Sequence, residues 1–156
     1  EIIPDCIYMS NVKRYQTWKD HMDFKNAKKI MTSNFSYDAY DEKTIIVSFV
    51  NLIKCGWDAM DNSTIMLLRL LSDLSIKKVS IAGFDGYATD RDKKNYFSDE
   101  MEIKSVTEYA KHNNEEISEM LVDFNKTKRE PNMEIRFITP SRFEQCLKIT
   151  GGGGME

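Results

Sequence analysis

The sequence predicts an α/β protein, a three-layer α/β/α domain with a mainly parallel sheet of about five strands. Five short apolar runs, rich in β-branched and aromatic residues, alternate along the chain with segments of helical periodicity. Several runs are apolar at consecutive positions, which is typical of parallel strands covered on both faces. Strand, helix and strand in repeated succession favour right-handed crossovers and therefore a parallel sheet.

The predicted strands are short and are separated by polar or helix-forming segments. They are CIYM (6–9), KKIMT (28–32), TIIVSFV (44–50), KKVSIA (77–82) and EIRFIT (134–139). Their β-branched and aromatic content favours extended backbone over helix.

Two longer segments carry the strongest helical signals. In DNSTIMLLRLLSDLS (61–75), leucine and isoleucine share one stripe, and the first three residues are good N-caps. The segment NNEEISEMLVDFNKTK (113–128) also has one apolar side and stops before Pro131. Shorter helices are expected at 13–24 and 141–147.

Composition limits the classes of function. The 156 residues are 41% hydrophobic and 30% charged, which suits one globular domain with a substantial core, expected over residues 1–150. The net charge of −3 creates no field that favours nucleic acid or an anionic membrane. No apolar run approaches the roughly 20 residues that span a bilayer. We therefore expect a cytoplasmic protein with no nucleic-acid partner and no membrane span.

Cysteine and histidine spacing predicts neither a disulfide framework nor a metal site. Cys6, Cys55 and Cys146 are widely spaced and form no C-x-x-C pair, which favours reduced thiols. The chain also has no His-x-His pair and no comparable carboxylate cluster. We predict no metal and no cofactor. The glycine-rich end, 151–156, is interpreted as a flexible tail or a cloning remnant.

Polar residues at the ends of the predicted elements suggest a ligand site. The fourth strand closes in GFDGY (83–87), where two glycines favour a tight turn. In a parallel sheet the strand-end groups share the carboxyl edge, where α/β proteins bind ligands. Asparagine amides there can hydrogen-bond a base or ribose, and a helix N-terminus suits a phosphate. The residues expected along this cleft are Asn11, Ser33, Asn34, Asn62, Ser63, Gly83 and Asp85.

Each of these features also has a structural explanation, and both remain open. DNST (61–64) can be an ordinary helix cap. Asp85 can simply accept hydrogen bonds from the amides of its own turn, as aspartate often does. The joint placement of these residues, rather than any one of them, favours a binding site.

Residues 61–87, DNSTIMLLRLLSDLSIKKVSIAGFDGY, resemble bacterial sialyltransferases of the lipooligosaccharide type. In that family a polar helix start, an apolar helix and a strand ending in Gly-Ile-Asp-Phe-Tyr occur in this order. The segment is still more similar to the C-terminal domain of polysaccharide-cluster proteins whose N-terminal part is a barrel similar to 4-hydroxy-2-oxovalerate aldolase. The resemblance covers roughly residues 6–146 and implies a Rossmann-like fold.

The resemblance implies a nucleotide or nucleotide-sugar ligand and roles for three further residues. Tyr87 and Tyr96 are placed like the tyrosines that hold the nucleotide phosphate in the sialyltransferases. His112, in KHNNEEISEML, is placed like their catalytic base, and a neutral imidazole can deprotonate a sugar hydroxyl. A solvated position near a helix start is the alternative for His112.

Departures from the sialyltransferase pattern shape the expected function. The first two nucleotide-contacting segments, a glycine-rich loop and a strand ending in asparagine, have no counterpart. Thr64 replaces a glycine, and the lid between residues 87 and 112 is short or missing. These departures indicate either a fragment of a longer chain or a degenerated nucleotide site. We expect the fragment, with an N-terminal aldolase-like barrel in the full chain, and in this chain alone weak binding and no catalysis. The full-length protein would be an aldolase (lyase) or glycosyltransferase-like enzyme of surface polysaccharide biosynthesis. The alternative is a noncatalytic interaction or sensing domain attached to the barrel.

Overall fold

A computed structural model of the chain describes residues 4–89 and 107–147. Within them the chain forms five β-strands, all in parallel pairs, and five α-helices. These elements belong to two units, residues 1–54 and 55–156, each with its own core. We call them the N-terminal unit and the C-terminal unit and describe each by itself.

The N-terminal unit is a three-stranded parallel sheet with short helices between its strands. Its elements are β1 (Cys6–Met9), α1 (Val12–Trp18), α2 (Met22–Asn26), β2 (Lys28–Thr32), a 3-10 turn (Tyr37–Ala39), β3 (Thr44–Val47) and α3 (Phe49–Leu52). The strand order is β1-β2-β3, and Ile30 of β2 lies opposite Tyr8 and Ile45. Its core is small and aromatic, because Phe24, Met31 and Phe35 are buried with partly buried aromatic residues around them.

The C-terminal unit pairs two parallel strands and packs two longer helices on one core. Its elements are α4 (Ser63–Asp73), β4 (Lys78–Ile81), α5 (Thr107–Thr127), β5 (Glu134–Phe137) and a 3-10 turn (Glu144–Leu147). Apolar residues at helical spacing on α4 and α5 meet in this core. Its most buried side chains are Ile65, Leu68, Met120, Leu121, Phe124 and Phe143.

The structure confirms an α/β protein with parallel strands, but it does not show one sheet of about five. The described strands form a three-stranded and a two-stranded sheet. Hydrophobic runs identify strands, whereas pairing depends on contacts between distant segments that periodicity does not encode. The single domain over residues 1–150 stays a prediction. Every helix in the described ranges is too short or too polar to cross a membrane.

Local signals explain where the elements begin and end. β1 and β2 have their predicted bounds, whereas β3 ends at Val47 because Ser48 accepts a hydrogen bond from Asn51 and starts α3. The helix expected at 13–24 is divided into α1 and α2. Helix α5 begins at Thr107, earlier than predicted, and the helix expected at 141–147 is only the 3-10 turn.

Candidate functional site

Three segments of the C-terminal unit meet beside the first half of α5. The turn after β4 is hydrogen-bonded to Asn114, and the loop before α4 is hydrogen-bonded to Glu116. The segment after β5 is hydrogen-bonded to the turn as well. We call residues 57–63, 83–87, 112–116 and 139–143 the strand-end cluster, because the second and fourth segments follow the carboxyl ends of β4 and β5.

The GFDGY turn is bound to its surroundings through its backbone. The amide of Asn114 accepts from the N–H of Tyr87 at 2.7 Å and donates to its carbonyl oxygen at 2.8 Å. The segment after β5 adds three bonds. Gly83 N donates to Thr139 Oγ1, Arg142 Nε donates to the Asp85 carbonyl oxygen, and Ser141 Oγ donates to the Phe84 carbonyl oxygen.

The two glycines of the turn have different reasons to be glycine. Both have a positive φ, 68° at Gly83 and 83° at Gly86, which side chains disfavour. A Cβ at Gly83 would meet nothing within 4 Å, but one at Gly86 would lie 2.5 Å from Asn114 Oδ1 and 2.8 Å from Phe143 Cζ. Gly86 therefore permits the close approach of the turn to α5, and Gly83 serves backbone conformation alone.

His112 lies between two carboxylates. Its Nε2 atom is 3.5 Å from Asp58 Oδ2 and 3.7 Å from Glu116 Oε1. The Glu116 side chain is buried and accepts from the backbone N–H groups of Asp58 at 2.6 Å and Ala59 at 2.9 Å. The His112 side chain is 49% exposed. An imidazole held beside carboxylates and open to solvent can bind a ligand, accept a proton or coordinate a metal ion.

The start of α4 is an N-cap with a buried ion pair beside it. Asn62 Oδ1 accepts a hydrogen bond from the N–H of Thr64 at 2.9 Å. Asn62 is therefore the N-cap of α4, which agrees with the structural explanation of DNST. Asp61 is buried and its carboxylate is hydrogen-bonded to the guanidinium of Arg69. Ser63 is the first residue of the helix and is half-buried.

The candidate residues of the N-terminal unit also have structural roles. Asn11 caps α1 by accepting from Arg14 N at 3.0 Å, and Ser33 Oγ accepts from Phe49 N at 3.0 Å. Asn34 donates to the Ser10 carbonyl oxygen at 3.2 Å and accepts from the Thr32 hydroxyl. These side chains fix the chain where β1 and β2 end.

The predicted site residues fall in different parts of the chain. Asn11, Ser33 and Asn34 belong to the N-terminal unit, and Tyr96 lies outside the described residues. The C-terminal unit contains Asn62, Ser63, Gly83, Asp85, Tyr87 and His112. One cleft shared by the seven strand-end and helix-start residues stays a prediction, as do the binding role of Tyr87 and the catalytic role of His112.

Sequence reasoning missed three residues that organise the strand-end cluster. Asn114 fixes the turn, Glu116 fixes the loop before α4, and Asp58 meets His112 from that loop. One signal was present, because Glu116 follows His112 by four residues and so shares its helix face. The sequence contains no such signal for Asp58, because it is 58 residues away from Glu116. No protein-family model, curated protein or solved structure matches the chain.

Proposed function

We propose that the C-terminal unit binds a nucleotide or nucleotide-sugar as part of a longer, aldolase-like bacterial protein of surface polysaccharide biosynthesis. The observation that carries the binding proposal is the strand-end cluster, in which the glycine turn and the loop before α4 meet the first half of α5. Ligands of α/β proteins commonly bind where strands end and helices begin. The resemblance of residues 61–87 supports the assignment to such a protein and a Rossmann-like fold.

The charge distribution at the start of α4 is compatible with a phosphate. The first turn of this eleven-residue helix has no acidic residue, so the partial positive charge of the helix N-terminus is not cancelled there. The carboxylate of Asp61, which precedes the helix, is paired with Arg69. We expect the phosphate near Ser63, Tyr87 and Tyr96, with His112 facing the sugar.

The alternative, a noncatalytic interaction or sensing domain attached to an aldolase (lyase) barrel, is favoured by the bonding of the turn. Backbone groups of four turn residues, Gly83, Phe84, Asp85 and Tyr87, are hydrogen-bonded to side chains of the same unit. A turn held in this way serves the fold without any ligand. The two functions differ in whether nucleotides bind.

Titration of cytidine and uridine nucleotides against isotope-labelled protein, followed by NMR, tests the proposal. We expect a dissociation constant of about 1 mM, equivalent to about −4 kcal/mol, and shifts clustered on residues 61–64 and 83–87. Ser63→Ala should abolish them. Ser80→Ala, which changes an exposed serine of β4, is the matched control and should not. No shift with any nucleotide would overturn the proposal and leave the interaction domain.

A further inference from the structure

Three side chains of the strand-end cluster present potential metal ligands to one point. His112 and Glu116 are four residues apart on α5, and Asp58 approaches them from the loop before α4. One ligand atom from each lies within 4.8 Å of the other two. Imidazole and carboxylate are two of the three side-chain groups that hold zinc in proteins.

The two separations that involve His112 match those of ligands around a small divalent ion. Zinc binds nitrogen and oxygen ligands at about 2.0–2.2 Å, so two ligands of a tetrahedral site are about 3.4 Å apart. His112 Nε2 is 3.5 Å from Asp58 Oδ2 and 3.7 Å from Glu116 Oε1. Shifts of a few tenths of an ångström would bring both pairs to that spacing.

The surrounding structure orients the most buried of the three ligands. The Glu116 side chain is 8% exposed, and each of its oxygens accepts one backbone N–H, from Asp58 and Ala59. A carboxylate oxygen with one such bond keeps a lone pair for a metal ion. The same bonds hold the loop against α5, which places Asp58 beside His112. Outer hydrogen bonds of this kind are typical of metal sites because they fix ligand direction.

We propose that Asp58, His112 and Glu116 bind one divalent transition-metal ion, with zinc the ion suited to this ligand set. Imidazole selects for zinc and its neighbours over magnesium or calcium. The Asp58 side chain is 91% exposed and that of His112 is 49% exposed, so an ion can enter from solvent. Three protein ligands leave a fourth tetrahedral position for water or an exogenous oxygen.

The metal site gives His112 a role other than that of a base. A metal-bound Nε2 has no lone pair left to accept a proton, so the two roles exclude each other at this atom. The inference goes beyond nucleotide binding and does not depend on it. The competing explanation is a plain ion pair between a protonated His112 and the two carboxylates.

Isothermal titration with zinc chloride tests the proposal, in the absence of nucleotide. The exposed thiols of Cys6 and Cys55 could bind zinc themselves, so every protein carries Cys6→Ser and Cys55→Ser. We expect the protein to bind one zinc ion per chain. Asp58→Asn and His112→Ala should each weaken the affinity by at least about tenfold. Asp58→Asn is the decisive variant, because its nearly fully exposed side chain is the least needed for folding.

Two matched controls and a spectrum complete the test. His21→Ala removes the other histidine, and Asp73→Asn removes a carboxylate elsewhere in the C-terminal unit; both should retain the affinity. Cobalt bound at the site should give a visible absorption band that Asp58→Asn alters. Two outcomes would overturn the metal site and favour the ion pair. One is no zinc binding at all, and the other is that Asp58→Asn and His112→Ala, with unchanged circular dichroism, bind zinc as tightly as the protein without these substitutions.

Discussion

Asn114 of α5 forms two hydrogen bonds with the backbone of Tyr87, one to its N–H at 2.7 Å and one to its carbonyl oxygen at 2.8 Å. A side-chain amide is suited to this pairing because it presents one acceptor and two donors. The bonds join the turn after β4 to the helix that carries His112. The turn and the histidine are therefore parts of one hydrogen-bonded assembly, which makes its stability measurable by substitution.

Gly86→Ala should destabilise the C-terminal unit strongly. The new Cβ would lie 2.5 Å from Asn114 Oδ1 and 2.8 Å from Phe143 Cζ, in a backbone with φ of 83°. Strain and overpacking together predict a loss of about 3–5 kcal/mol in the free energy of unfolding. Urea unfolding followed by Trp57 fluorescence measures it, in a Trp18→Phe background so that only this unit reports.

Gly83→Ala is the matched control for that prediction. Its φ of 68° is also positive, but an added Cβ would meet nothing within 4 Å. Only the cost of placing an alanine at a positive φ remains, so we expect the free energy of unfolding to fall by about 1–2 kcal/mol. Equal losses at the two glycines would show that the turn does not pack closely on α5.

Asn114→Ala should destabilise the same unit by removing both bonds to Tyr87. It leaves an N–H and a carbonyl of a half-buried turn without these partners, for a loss of about 2–4 kcal/mol. Glu115→Ala changes the exposed neighbouring residue and should alter stability by no more than about 0.5 kcal/mol. Hydrogen exchange at the Tyr87 amide should accelerate in Asn114→Ala and not in the control.

The elements of this fold were largely predictable because short-range patterns encode them. β1 and β2 follow from dense β-branched and apolar runs, and α4 follows from its stripe and the cap at Asn62. The predicted range of β3 extends three residues too far, because Phe49 and Val50 are typical strand residues. The Ser48 cap that starts α3 is a weaker signal.

The candidate site was harder to predict because its contacts join distant segments. Asp58 meets residues of α5, and Asn114 meets Tyr87, at separations that no local pattern reports. The capping tendencies of asparagine and serine were visible in sequence, but whether such a side chain serves the fold or a ligand depends on its neighbours. At Asn11, Asn34 and Asn62 those neighbours include backbone groups of the same unit.

Asp41→Asn should destabilise the N-terminal unit more than Lys29→Met. The Lys29 side chain is 3% exposed, and its ammonium contacts Asp41 at 2.8 Å and the Ala27 carbonyl oxygen at 3.1 Å. Removing the carboxylate charge leaves a buried cation less compensated. Lys29→Met instead removes the cation, together with its contact with the Phe24 ring, and leaves an apolar side chain at a buried position. We expect the two variants to differ by only about 1–2 kcal/mol in the free energy of unfolding, because solvent screens the half-exposed Asp41 carboxylate.

Trp18 fluorescence in a Trp57→Phe background measures that difference, because Trp18 packs on the core of the N-terminal unit. Asp23→Asn replaces an exposed carboxylate of α2 and serves as the control. A larger loss in Lys29→Met would contradict the prediction, because it would mean that replacing the ammonium costs more than leaving it without the Asp41 carboxylate.

Glu130 should make the stability of the C-terminal unit depend on acidic pH. A hydrogen bond from Lys77, and a second from the Asn132 N–H, lower the pKa of its carboxyl below the ordinary 4.5. The folded state therefore binds this proton more weakly than the unfolded state does. The stabilisation is fully present above about pH 4.5 and is lost as the pH falls through the lower folded pKa.

Urea unfolding at a series of pH values between about 6 and 3, followed through Trp57, tests this. Glu130→Gln should lose less stability than the wild type over that range, because glutamine has no proton to bind. Glu134→Gln is the control, since its carboxylate is 67% exposed and lies 4.0 Å from the Lys78 ammonium, a weak contact. Parallel pH profiles for wild type and Glu130→Gln would mean that the bonds from Lys77 and Asn132 do not distinguish the folded from the unfolded carboxyl.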